Sequence, residues 1–136
     1  MRRRQIHLNG RRGAFLAIFG VLYIAVGLSY LYPVASSPVR RSLSWLPIPH
    51  ALFLVGLAWI AAGVVAGFAA FRTLPSDRRG FEALSAVAFG WTVLELLSWA
   101  AGAAVRGWVS SLLFALIASA VLVVSGMPNP PHGRIQ

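Results

Sequence analysis

One residue in this 136-residue chain stands apart as able to do chemistry inside an apolar environment: Glu95, the sole ionisable side chain in the interior of any long apolar run. A carboxyl placed in hydrocarbon costs roughly 2.5 to 3.5 kcal/mol at a helix centre, so it must face protein or water. There it can handle protons, line a pore or grip a partner, or it can simply join helices through hydrogen bonds. No Arg lies at its depth, so the expected partners are the hydroxyls of Tyr23, Thr92 and Ser98, and more remotely Ser119. The site would be a hydrogen-bonded acid rather than an ion pair. Trp91, Glu95 and Trp99 recur at four-residue spacing and share one helix face, which is expected to shield the carboxyl from lipid.

Other chemistries lack their residues. The chain has no Cys, which removes disulfides, thiolate metal sites and cysteine nucleophiles. His7, His50 and His132 lie outside the apolar runs and far apart, and the only carboxylates are Asp77, Glu82 and Glu95. A multi-ligand metal centre, axial haem ligation and a nucleophile paired with a base are therefore not expected. The sequence predicts neither an enzyme nor a cofactor.

A second pattern concerns packing. Gly63 and Gly67 form a G-x-x-x-G pair, beside a ladder of Ala58, Ala62, Ala66 and Ala70. Small residues let helix backbones approach closely in lipid, either within one chain or between copies. Gly20 with Gly27, and Ala86 with Gly90, allow similar contacts. The segment Tyr23-Ile24-Ala25-Val26-Gly27 echoes Trp59-Ile60-Ala61-Ala62-Gly63, and because the two segments are expected to run in opposite directions the echo reads as shared composition rather than a repeat.

The elements that must position these residues follow from composition. With 58% hydrophobic and 11% charged residues, and the charges gathered in short clusters, the chain departs from a soluble globular domain. Four apolar stretches, at about 13–32, 51–71, 81–101 and 108–126, are each long enough to cross a hydrocarbon core of about 30 Å at about 1.5 Å per residue. Backbone groups in lipid must be satisfied within each segment, and four spans are too few for a barrel, so the spans are helices. The expected fold is all-α: an integral membrane four-helix bundle of two antiparallel transmembrane hairpins. An Arg-rich N-terminus (1–12) and a Pro-rich tail (127–136) flank the transmembrane domain (13–126).

Orientation follows from the arginines, since all twelve basic residues are Arg. Arg2, Arg3, Arg4, Arg11, Arg12, Arg72, Arg78, Arg79 and Arg134 fall on one side, and Arg40, Arg41 and Arg106 on the other. The positive-inside rule puts the larger set, and both termini, in the cytoplasm. Tyr30, Tyr32, Trp45, Trp99 and Trp108 then lie at the outer ends, where amphipathic rings prefer the interface. A cleavable signal peptide ending near Val34-Ala35-Ser36 is the rival reading of the first stretch, whose twenty residues exceed the usual h-region of about 7 to 15. Arg11-Arg12-Gly13-Ala14-Phe15-Leu16 resembles a twin-arginine signal, but its Phe-Leu pair is displaced by one position, so it is not read as one. In the outer loop, Ser37 and Pro38 read as the start of a short interfacial helix through Trp45, with Val39, Leu43, Trp45 and Leu46 toward the acyl boundary; an irregular loop is the alternative.

The net charge of +9 flanks apolar segments instead of lining one face, so the expected partner is anionic lipid and not nucleic acid. Arg2, Arg3, Arg4, Arg11, Arg12, Arg72, Arg78 and Arg79 are expected to set topology and touch head groups, and Asp77 and Glu82 to sit in a solvated inner loop. In outline, over its whole length, the chain resembles the small polytopic holins of actinobacterial phages: short, Arg-rich at its ends, tightly looped, with small-residue helix faces. The resemblance rests on no diagnostic motif, so no residue inherits a role from it. It implies a membrane-permeabilising protein of the cytoplasmic membrane that assembles with copies of itself. The competing expectation is a non-lytic accessory protein, one that stabilises a larger membrane complex or excludes superinfecting phage. A proton-coupled carrier using Glu95 is a weaker third expectation, because no broken helix pair accompanies it.

Overall fold

In a computed structural model, described over residues 10–32, 38–72 and 75–127, the chain is all-helical. Its elements are α1 (Gly10–Leu31), the single short turn α2 (Pro38–Ser42), α3 (Ala51–Ala69), α4 (Arg78–Ala100) and α5 (Gly107–Gly126). The four long helices are each long and apolar enough to cross a membrane, which makes the chain a four-pass membrane protein by length and composition. α1 and α4 begin three residues before the apolar stretches at 13 and 81, so each carries arginines in its first turn.

The helix ends are set by local chemistry. After α4, Gly102 adopts φ +73, and the N–H groups of Ala103 and Gly102 donate to the carbonyls of Ser98 and Trp99, both at 2.9 Å. This is a Schellman arrangement, in which a left-handed glycine satisfies carbonyls the helix itself cannot. Asp77 precedes α4 at the N-cap position but makes no side-chain cap bond; its Oδ2 accepts from Arg12.

α1 and α3 meet through glycine. A methyl group added at Gly20 would lie 2.8 Å from the Gly63 carbonyl, and one at Gly27 would lie 2.6 Å from the Gly56 carbonyl. Residue numbers therefore rise along one helix as they fall along the other. Ile24 lies over Gly63, Ile60 lies over Gly27, and the rings of Tyr23 and Trp59 stand 4.5 Å apart. The echo between 23–27 and 59–63 is thus more than shared composition. Extended back to Gly20 and Gly56, the two segments are the two halves of one self-complementary contact. Opposed chain direction is what makes it work, because two similar faces packed head to tail each offer a bulky residue to the other's glycine.

Further along, an aromatic cluster draws on all four long helices: Tyr23 and Tyr30, Trp59, Trp91 and Phe114. Tyr30 turns inward against Trp91 at 5.4 Å instead of serving as an interface anchor. Tyr32, Trp99 and Trp108 are exposed. α4 packs on α3 and α5, and a hydrogen bond from the Ser111 hydroxyl to the Thr92 carbonyl at 3.1 Å ties α5 to α4.

The interfacial helix expected through Trp45 stops at Ser42, and its apolar face turns toward the protein. Leu43 is buried in the core, Val39 and Leu46 pack against it, and Trp45 donates its indole N–H to Ser98 Oγ at 2.8 Å. Burying these groups on α4 satisfies the indole and hydroxyl as well as the apolar surface, which contact with acyl chains would not do. Ser37, the expected N-cap, lies outside the described residues.

Candidate functional site

Two polar sites sit at opposite ends of the helices. The first is built on Glu95, 7% exposed on the α4 face that also buries Trp91 and Ser98. Its spacing relative to Trp91 and Ser98 puts all three on one side of the helix, whereas Trp99, expected there, lies at the edge of that face and is 48% exposed. Four residues make slightly more than one turn, so a stripe of side chains drifts around the helix as it rises. Packing here follows 91, 95 and 98 rather than 91, 95 and 99.

The hydroxyls expected around Glu95 are engaged elsewhere. Tyr23 donates to the Leu84 carbonyl at 3.0 Å, Thr92 to Ala88, Ser98 to Leu94 and Ser119 to Ala115. The last three return to the carbonyl four residues back, the nearest acceptor a helical Ser or Thr can reach. Ser42 of α2 takes the role instead, donating to Glu95 Oε1 at 3.4 Å while also reaching the Val39 carbonyl at 2.8 Å. At that length the contact to Glu95 is weak, since hydroxyl donors usually sit at about 2.7 to 2.8 Å. α2 and the turn that follows it are thereby held to α4 by two hydrogen bonds, Ser42 to Glu95 and Trp45 to Ser98. Neither could be foreseen, because a loop residue fifty-three positions away becomes a neighbour only once the loop folds back.

Glu95 also lines an open cavity of about 310 Å³, shared with Ser42, Arg41, Arg106 and Ser110. Gly107 closes its floor, where an added methyl would stand 2.6 Å from the Glu95 carbonyl. The cavity therefore brings two of the three arginines of the sparser set to the one intramembrane carboxylate.

The second site surrounds Arg12. Its Nε donates to Asp77 Oδ2 at 2.8 Å, with the two side chains 4% and 0% exposed. Its Nη1 donates to the carbonyls of Ser125 and Met127, with a longer reach of 3.4 Å to Val124, and its guanidinium stands 4.7 Å from the centre of the Phe81 ring. The last carbonyls of α5 have no helical partners and carry the negative end of the helix dipole, so a planar cation with several donors suits them. Arg12 and Asp77 are thus corrected from surface groups to a buried clamp joining α1, α4 and α5. Arg11 remains exposed, as do Arg72, Arg78 and Arg79, with Arg78 pairing along the helix surface to Glu82 at 2.8 Å. Arg2, Arg3 and Arg4 lie outside the described residues.

The small-residue face of α3 is divided. Gly63, Ala62 and Ala66 are buried within the chain, and Gly63 faces Gly20. Gly67 passes close to Gly20 through its backbone, yet nothing stands within 4 Å of where its own side chain would project. Among the described residues no three His, Asp or Glu side chains gather as a metal site would require. No family model, curated protein or solved structure matches this chain.

Proposed function

We propose that this chain is a non-lytic accessory protein of the cytoplasmic membrane, folded as two antiparallel transmembrane hairpins with both termini in the cytoplasm, and acting without catalysis beside a larger membrane partner. The observation that carries this reading is where the polar side chains point. Away from the ends of the apolar stretches, where Tyr32 and Glu82 are exposed, the described exposed polar side chains are Ser29 and Ser119, and each returns its hydroxyl to its own helix, at Val26 and Ala115. The outward surface is otherwise residues such as Ile18, Val21, Phe68, Phe89, Leu112 and Leu116. A water-filled hole needs a wettable lining, and an outward surface of this composition does not offer one. The glycine contacts likewise hold α1 to α3 within the chain, which leaves less small-residue surface for self-association.

Controlled expression in a bacterial host tests the proposal against the holin-type alternative. The expected outcome is continued growth with the membrane potential intact and no release of a co-expressed endolysin to the cell wall. A timed collapse of the potential would overturn the accessory reading in favour of permeabilisation. Orientation is tested separately: reporter fusions at both termini should be active only in their cytoplasmic form.

A further inference from the structure

We infer that the cavity beside Glu95 is a binding site for a phosphoethanolamine group, the phosphate held by Arg41 and Arg106 and the primary ammonium held by the Glu95 carboxylate. The proposal rests on the chain being embedded in lipid and not on its accessory role.

Four features converge on it. The cavity, at about 310 Å³, falls within the roughly 300 to 1,000 Å³ usual for small-ligand sites. Its wall carries a buried carboxylate whose one hydrogen-bond partner among the described residues is Ser42, at the long distance of 3.4 Å. A carboxylate accepts several hydrogen bonds and an ammonium offers three donors, so the acceptor capacity left on Glu95 suits that group. The two arginines reach the cavity from different elements, Arg41 from α2 and Arg106 from the turn before α5, and neither forms an ion pair among the described residues. Two guanidiniums against one carboxylate favour a ligand with an anionic group and a cationic group a few bonds apart. Guanidinium forks match phosphate oxygens in particular.

The location favours a lipid as the source. Glu95 lies five residues before the end of α4, about 8 Å along the helix axis, near the depth where head groups meet acyl chains. Val39 and Val105 at the cavity and the exposed Trp108 beside it offer the apolar margin that acyl chains would follow. By contrast, the cavity at the opposite end, lined by Arg72, Arg79 and Phe68, has arginines without a carboxylate. Recognition of an ammonium is therefore particular to the Glu95 end.

The test is native mass spectrometry of the full-length protein in detergent, titrated with phosphatidylethanolamine, phosphatidylcholine and phosphatidylglycerol of matched acyl chains, and with soluble phosphoethanolamine. Phosphatidylethanolamine should bind about tenfold tighter than phosphatidylcholine, whose trimethylated nitrogen has no N–H to donate to Glu95. Glu95→Gln should bring the two within about twofold, and Arg106→Gln, an exposed change that leaves the helix contacts intact, should weaken phosphatidylethanolamine at least fivefold. Competition by soluble phosphoethanolamine at equal concentration would assign the site to the free compound, and its failure to compete would assign it to the lipid. Equal binding of the two lipids by the unaltered protein, or Arg106→Gln without effect, would overturn the proposal.

Discussion

Each end of this molecule keeps one ionisable side chain largely away from water, and the two ends do it by different means. At one end Arg12 meets a carboxylate, two helix-terminal carbonyls at close range and an aromatic face, in a closed setting. At the other, Glu95 meets one hydroxyl at 3.4 Å and an open cavity. Burial of a charge is costly unless its partners are complete, so the first end has the character of a structural lock and the second that of a site awaiting a partner. The ion pair Arg78–Glu82 sharpens the point. It has the same 2.8 Å separation as Arg12–Asp77 but stands in solvent, where such pairs contribute about 0.3 to 0.5 kcal/mol. Surroundings, rather than distance, decide what an ion pair does.

The largest effect should come from breaking the lock. Arg12→Ala leaves Asp77 buried without its cation and is expected to destabilise the protein by about 3 to 5 kcal/mol, read from unfolding in mixed micelles. Replacing both, Arg12→Met with Asp77→Leu, should restore much of that loss, though not the contacts to the Ser125 and Met127 carbonyls. If Arg12→Ala unfolds like the unaltered protein, the contrast between the two ends disappears.

Next in size is the glycine contact between the ends. Gly63→Ala drives a methyl to 2.6 Å from the Gly20 carbonyl and should cost about 1 to 3 kcal/mol without changing the oligomeric state seen by sedimentation. Gly67→Ala meets open space and should be neutral or gain up to about 1 kcal/mol through helix propensity. Equal effects at 63 and 67 would mean that the face serves a partner copy.

The smallest change is expected at the open end. Ser42→Ala removes the weak contact to Glu95 together with a local bond to the Val39 carbonyl, and should cost no more than about 1.5 kcal/mol in the same unfolding measurement. A loss rivalling that of Arg12→Ala would make Glu95 a second lock and remove the reason to regard its cavity as a binding site.

Much of the fold was legible in the sequence because lipid imposes a simple demand. Every backbone polar group in the hydrocarbon must be satisfied locally, and an uncharged run of about twenty residues leaves the helix as the solution. Glu95 was legible for a related reason, since a carboxyl inside such a run is conspicuous. Its partners were not. Hydroxyls at similar depth on the long helices looked available, yet Thr92, Ser98 and Ser119 bond to their own helices, and the loop residue Ser42 arrives from outside the spans. Arg12 was misjudged because arginines beside a span ordinarily mark topology; the carbonyls it caps lie more than a hundred positions further along the chain. The seven-residue spacing from Gly20 to Gly27, repeated from Gly56 to Gly63, was the one signal in the sequence that could have revealed the α1–α3 contact.

The sequence by itself therefore determined how many long helices form and where a carboxyl interrupts the apolar pattern, because both depend on interactions within a few residues along the chain. Only the tertiary structure decided which arginine is buried, which serine meets Glu95, and that Arg41 and Arg106 border one cavity. Those outcomes depend on which helix faces meet and on how the loops fold back. Short-range periodicity carries no information about either.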